Sequence, residues 1–136
     1  MPTQSGIERS KVNSMINKTN YVTKAEQVMR NITNDNSRLT TTKIRKLLSM
    51  SAEIYNDASR LIVNELDDDI LARIQYLRMQ IAYQAGRDRD VKRFVEQSNL
   101  LEEIQLIGAD KEKLIVFCHY MEALVAYHRF YGGKDN

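Results

Sequence analysis

The chain has 136 residues, 43% of them hydrophobic and 28% charged, an ordinary globular mixture long enough for one domain around a single core. Its 20 basic and 18 acidic side chains leave a formal net charge of only +2. Any anion-binding face must therefore come from local segregation of charge. A single cysteine, Cys118, excludes an internal disulfide and suits a reducing cytoplasm, and neither a signal-peptide core nor a run of about 18 apolar residues is present.

Residues 1–20, rich in Ser, Thr, Asn and Lys, read as a mobile N-terminal arm. Residues 21–133 read as a single helical domain, followed by a short tail at 134–136. The first helix opens at Tyr21 with Asn20 as its cap, and its stripe is Ala25, Val28, Met29 and Ile32. A long second helix opens at Thr40 or Thr41 and carries Ile44, Leu47, Leu48, Ile54, Ala58, Leu61 and Ile62. Asp67 caps a third helix, with Asp68 and Asp69 complementing the dipole of its first turn. A fourth runs from Asp88 or Asp90 through Val91, Phe94, Leu100 and Ile104, with a break near Ser98–Asn99. A fifth runs from Asp110 to the glycine pair Gly132–Gly133. Every glycine after Gly6 falls where a helix should stop. The pattern predicts an all-α fold, a compact bundle of about five helices. The C-terminal helix is apolar almost all round and so central, with Phe117, Tyr120, Leu124 and Tyr127 buried.

No catalytic constellation emerges. His119 and Glu122 stand three apart on a helix, a spacing used in di-iron bundles, but no second Glu-x-x-His accompanies them. The arginine four to six residues before a histidine that marks some helical ribonucleases is missing. So are phosphate-binding glycine loops and zinc spacings. His128 reads as a core-edge histidine bonded to a neighbour, and Cys118 as a small buried hydrophobe. The expectation is a protein with no catalytic residue, no metal and no cofactor.

The basic residues are clustered. Lys43, Arg45 and Lys46 occupy the first turns of the second helix, where cations oppose the dipole. Arg87, Arg89, Lys92 and Arg93 surround the junction of helices three and four. Arg73, Tyr76, Gln80, Tyr83 and Arg87 share one side of helix three, and such interleaving can hold a nucleic-acid backbone or be merely a solvated face. Rotation places Arg78 with Ile74 and Ile81 on the apolar side, so it needs either a buried carboxylate or an interface.

The stretches "YVTKAEQVM", "LTTTKIRKLLSMSAEIYN", "QYLRMQIAYQAGRDRDVKRFVE" and "YMEALVAYHRFYGG" occur in the same order in the small, second subunit of type III-A (Csm) CRISPR effector complexes. The chain resembles that family over residues 21–133. The resemblance implies a cytoplasmic, noncatalytic subunit of an antiviral ribonucleoprotein. It would contact crRNA and target RNA without reading sequence, stack in several copies beside the backbone subunits and below the large subunit, and leave cleavage to its neighbours. RNA contacts would then fall on Lys43, Arg45, Lys46, Arg73, Arg78, Arg87, Arg89 and Lys92. The alternatives are a protein-only helical adaptor and a helical nuclease with an unrecognised site.

Overall fold

The computed structural model describes residues 15–34 and 37–136. Among them the chain forms six helices: α1 Tyr21–Asn34, α2 Thr41–Ala58, α3 Asp68–Arg87, α4 Arg89–Ser98, α5 Leu100–Leu106 and α6 Lys111–Phe130. The number exceeds the expected five because the fourth helix divides. Asn99 takes the left-handed conformation, φ 57°, and separates α4 from α5. Asparagine tolerates that conformation better than other residues with a side chain.

Local chemistry sets most boundaries. Asp67 accepts the Ile70 N–H at the start of α3, Asp88 accepts the Asp90 and Val91 N–H groups at α4, and Asp110 accepts those of Glu112 and Lys113 at α6. Each side chain satisfies donors that no turn of helix can reach. Thr40 does the same for Lys43 at α2. Asn20 does not cap α1. Its Oδ1 accepts the Asn17 N–H, while the Asn17 carbonyl receives the Tyr21 N–H. Gly108 and Gly132 hold positive φ, as expected, but Gly86 lies inside α3 with an ordinary helical backbone.

Helix α2 stops at Ala58, short of the expected Leu61 and Ile62, and Ile62 is 99% exposed. The chain instead pairs with the turn before α6. Leu66 N–H bonds the Ala109 carbonyl, Lys111 N–H bonds the Asn64 carbonyl, and the Lys111 ammonium reaches the Leu61 carbonyl. Two loops thereby satisfy each other's backbone groups at the end of α2.

Helix α6 packs against α1, α2 and α5, while α3 lies against α2, α4 and α5. Phe117, Tyr120 and Leu124 are buried, as expected. Tyr127 is only half-buried, in a cluster with Phe130 and Tyr131, and Glu122, Ala126 and Arg129 face outward. The apolar character of α6 therefore exceeds what it buries. Ile16 is buried and donates its N–H to Glu103, so residues 15–20 are tied to the bundle although the sequence groups them with the arm; residues 1–14 lie outside the described residues. Residues 134–136 also make fold contacts, because the Lys134 and Asp135 carbonyls accept the Thr41 and Thr42 N–H groups at the start of α2. No helix among the described residues is long and apolar enough to cross a membrane.

Candidate nucleic-acid interface

The two basic clusters, more than forty positions apart in sequence, meet through Lys43. Its ammonium lies 3.1 Å from Asp88 and 3.2 Å from Asp90, and so joins the start of α2 to the start of α4. The Asp88 hydrogen bond holds the Lys43 pKa above its ordinary value. Burial pushes Asp88 upward, but the Val91 and Asp90 N–H groups and Lys43 outweigh it, and its carboxyl sits below the ordinary value. Lys43 thus clamps two helices together, and its side chain remains 33% exposed.

The clamp joins the two segments that carry the remaining cations. Arg45 and Lys46 project from α2, and Arg87, Arg89 and Lys92 from the α3–α4 junction; all five are exposed. Lys46, Arg89 and Lys92 make no ion pair among the described residues, and Arg87 lies over the Tyr83 ring at 5.7 Å. Arg45 stands in the field of Asp135, whose carboxyl is lowered chiefly by its hydrogen bond from Arg129. Lys43 engages both Asp88 and Asp90, the acidic groups at the start of α4.

Two expected members fall elsewhere. Arg73 forms an ion pair with Asp57 of α2 and is turned toward that helix. Arg78 is not buried, and no carboxylate among the described residues pairs with it. It is half-exposed and donates to Gln75 at 3.3 Å, because the helix turns it to the margin of the apolar stripe. The mixed basic and aromatic face expected on α3 therefore reduces to Tyr76, Tyr83 and the terminal Arg87.

Two cations that sequence reasoning did not select stand beside the N-terminus of α2. Arg38 and Lys134 line a cleft of about 380 Å³ together with Thr40, His128 and Gly133. Only the pairing of the C-terminal tail with Thr41 and Thr42 brings residue 134 there, and no local spacing could signal it.

The histidines are placed for structure. His128 is buried with Nε2 3.0 Å from the Leu39 carbonyl and Nδ1 3.3 Å from the Thr41 hydroxyl. A carbonyl can only accept, so Nε2 carries a proton, and Nδ1 lies within hydrogen-bond reach of the Thr41 hydroxyl. His119 sits between the rings of Tyr21 and Tyr55, at centroid distances of 6.0 and 5.4 Å. Cys118 is buried, and burial pushes its thiol pKa up to about 12, far from a reactive thiolate. Among the described residues no group of three or more His, Cys, Asp or Glu side chains is placed to hold a metal ion.

These features define a small all-α protein in which an ion-paired lysine joins the starts of two helices. The profile of the family described as Csm2 Type III-A matches residues 16–134, and the chain belongs to that family. It is 46% identical over 119 residues to "CRISPR system Cms protein Csm2" of Streptococcus thermophilus, covering 85% of this chain and 94% of the relative. A Mycobacterium tuberculosis protein of the same description is 41% identical over 97 residues, covering 71% and 78% respectively. One from Enterococcus italicus is 33% identical over 99 residues, covering 71% of each.

Proposed function

We propose that the protein is a noncatalytic subunit of a type III-A CRISPR ribonucleoprotein that binds the crRNA and target-RNA backbone independently of sequence. The observation that supports this reading is the joining of the start of α2, which carries exposed Arg45 and Lys46, to the α3–α4 junction, which carries exposed Arg87, Arg89 and Lys92, through the Lys43–Asp88–Asp90 ion pairs. Family membership supports the assignment to the Csm complex and to partnership with its other subunits. Guanidinium and ammonium groups held on helices suit phosphates, which carry no base identity. In RNA-guided effectors, base pairing can do the reading while protein holds the backbone. A single copy presents few contacts, so its affinity is low alone and rises when several copies stack along one RNA.

Fluorescence anisotropy with two labelled single-stranded RNAs of unrelated sequence tests the reading. Equal affinities that fall together as salt is raised, with both RNAs intact afterwards, support it. A preference above about tenfold for one sequence overturns the backbone-only mode, and cleavage by purified protein overturns the noncatalytic assignment.

A further inference from the structure

Beyond α6 the chain turns back on the fold. Gly132, at φ 91°, leads it out of the helix, and residues 134–136 run over the first turn of α2. There the Thr41 N–H bonds the Lys134 carbonyl at 2.9 Å, and the Thr42 N–H bonds the Asp135 carbonyl at 3.0 Å. The Thr42 hydroxyl donates to the same Asp135 carbonyl at 2.6 Å, with Asn136 Oδ1 also in reach at 2.9 Å. The two N–H groups are donors that a helix start leaves without an internal partner. The segment thus supplies oxygens where an anion could supply them.

It also carries an acid into a basic setting. Asp135 accepts a hydrogen bond from Arg129 of α6, which chiefly lowers its carboxyl below the ordinary value, and the charge of Arg45 on α2 adds to the effect. A carboxylate therefore stands between cations of two helices, one of them a residue assigned above to RNA.

Little fastens this cover. Lys134, Asp135 and Asn136 are all exposed, and none brings an apolar side chain to bury. The Arg129 and Asp135 side chains are each 52% exposed, and ion pairs so open to water hold weakly.

We propose that residues 134–136 form a displaceable strap whose Asp135 carboxylate occupies the place of an RNA phosphate between Arg45 and Arg129, so that RNA engages the start of α2 only as the strap leaves. Its role rests on the RNA-binding function proposed for the chain, and it adds Arg129 as a phosphate contact that displacement opens. The exchange is anion for anion. The Thr41 and Thr42 donors and the two guanidiniums give up carbonyl and carboxylate oxygens and gain phosphate oxygens, so no donor is stranded. Only the open fraction of chains is competent there, which lowers the apparent affinity of a free copy.

Anisotropy with labelled RNA on the full chain tests the strap. Asp135→Asn keeps the backbone bonds and removes the competing charge. It should tighten binding about three- to tenfold at low salt and steepen the log–log salt slope by somewhat less than one, as for one added phosphate contact. Glu112→Gln removes an equal charge about 25 Å away along α6, at ~1.5 Å per residue, and should stay within about twofold of wild type because salt screens that distance. In an Arg45→Gln/Arg129→Gln background, Asp135→Asn should bring no gain. As a second measurement, Thr42→Cys/Asn136→Cys places cysteines at two contacting positions, and the native Cys118 is buried. Oxidation should lock the strap and weaken RNA binding at least about threefold, with recovery on reduction. Equal gains in Asp135→Asn and Glu112→Gln would make the effect one of net charge and overturn the proposal, as would a locked chain that binds RNA like the reduced one. RNA binding that shows the expected salt slope but ignores both Asp135 and the lock removes the strap and leaves the RNA reading standing; no RNA binding in any variant removes both.

Discussion

Lys43 on α2 places its ammonium 3.1 Å from Asp88, the residue whose carboxylate also accepts the Asp90 and Val91 N–H groups that open α4. One side chain thus caps a helix and anchors the clamp that joins the two cationic segments. Asp88→Ala removes both roles and should destabilise by about 1–2 kcal/mol, toward the upper end for a lost N-cap. Asp88→Asn keeps a capping oxygen and loses only the partly exposed ion pair, worth at most ~1 kcal/mol. The Asp88 carboxyl is lowered below its ordinary value in the fold. Its contribution is therefore full above the unfolded carboxylate pKa and is lost as pH falls through the folded one. Urea midpoints should show the Asp88→Asn deficit at pH 7 and its disappearance in strong acid.

Glu103 works in the opposite sense. It is buried and its pKa is raised chiefly by that burial; Oε1 accepts the Ile16 N–H at 3.0 Å, but Oε2 has no hydrogen-bond partner among the described residues. A raised carboxyl favours the fold while protonated, so this contribution is full below the unfolded pKa and is lost as pH rises through the folded one. Glu103→Gln should consequently raise the urea midpoint at pH 7 relative to wild type, and the gain should shrink toward pH 4. A gain that grows on acidification would contradict the assignment.

Gly133 sits against the His128 ring, where an added Cβ would lie 2.3 Å from Nε2. The ring cannot yield without breaking its bonds to Leu39 and Thr41, which tie α6 to the start of α2. Gly133→Ala should therefore destabilise by about 1–3 kcal/mol, the range for overpacking a filled site. Gly86→Ala should be neutral or stabilising in the monomer, by up to ~1 kcal/mol, because its Cβ meets open space. Thermal melts at low protein concentration compare the two.

The caps at Asp67 and Asp110, the positive-φ glycines at 108 and 132, and the buried stripe of α3 were legible in the sequence because each rests on neighbours within four residues. Gly86 stands in the last turn of α3, one residue before the helix ends at Arg87, so the expected stop was close. The fate of the cations was not legible. Whether Lys43 points to solvent or to Asp88, and Arg73 to RNA or to Asp57, depends on which helices pack together. The end of α2 likewise depends on backbone pairing with a loop some forty-five residues away.

Leu124 has no exposed surface and lies on the part of α6 that is enclosed by the core. Leu124→Ala should cost about 2–5 kcal/mol. A urea midpoint shift equivalent to less than about 0.5 kcal/mol would show that α6 is peripheral.

The central claim is that the cations on α2 and at the α3–α4 junction meet RNA phosphates, and the salt dependence of RNA binding tests it most directly. About four phosphate contacts in one copy give a log–log slope of roughly −3 to −4, at about −0.7 to −0.9 per contact. Lys46 and Lys92 are exposed and make no ion pair among the described residues. Lys46→Glu/Lys92→Glu should weaken binding to all RNA sequences alike and flatten the slope by somewhat less than two, with helical content and melting unchanged. Unchanged affinity together with an unchanged slope in that variant would contradict the account and leave these residues as solvated charges.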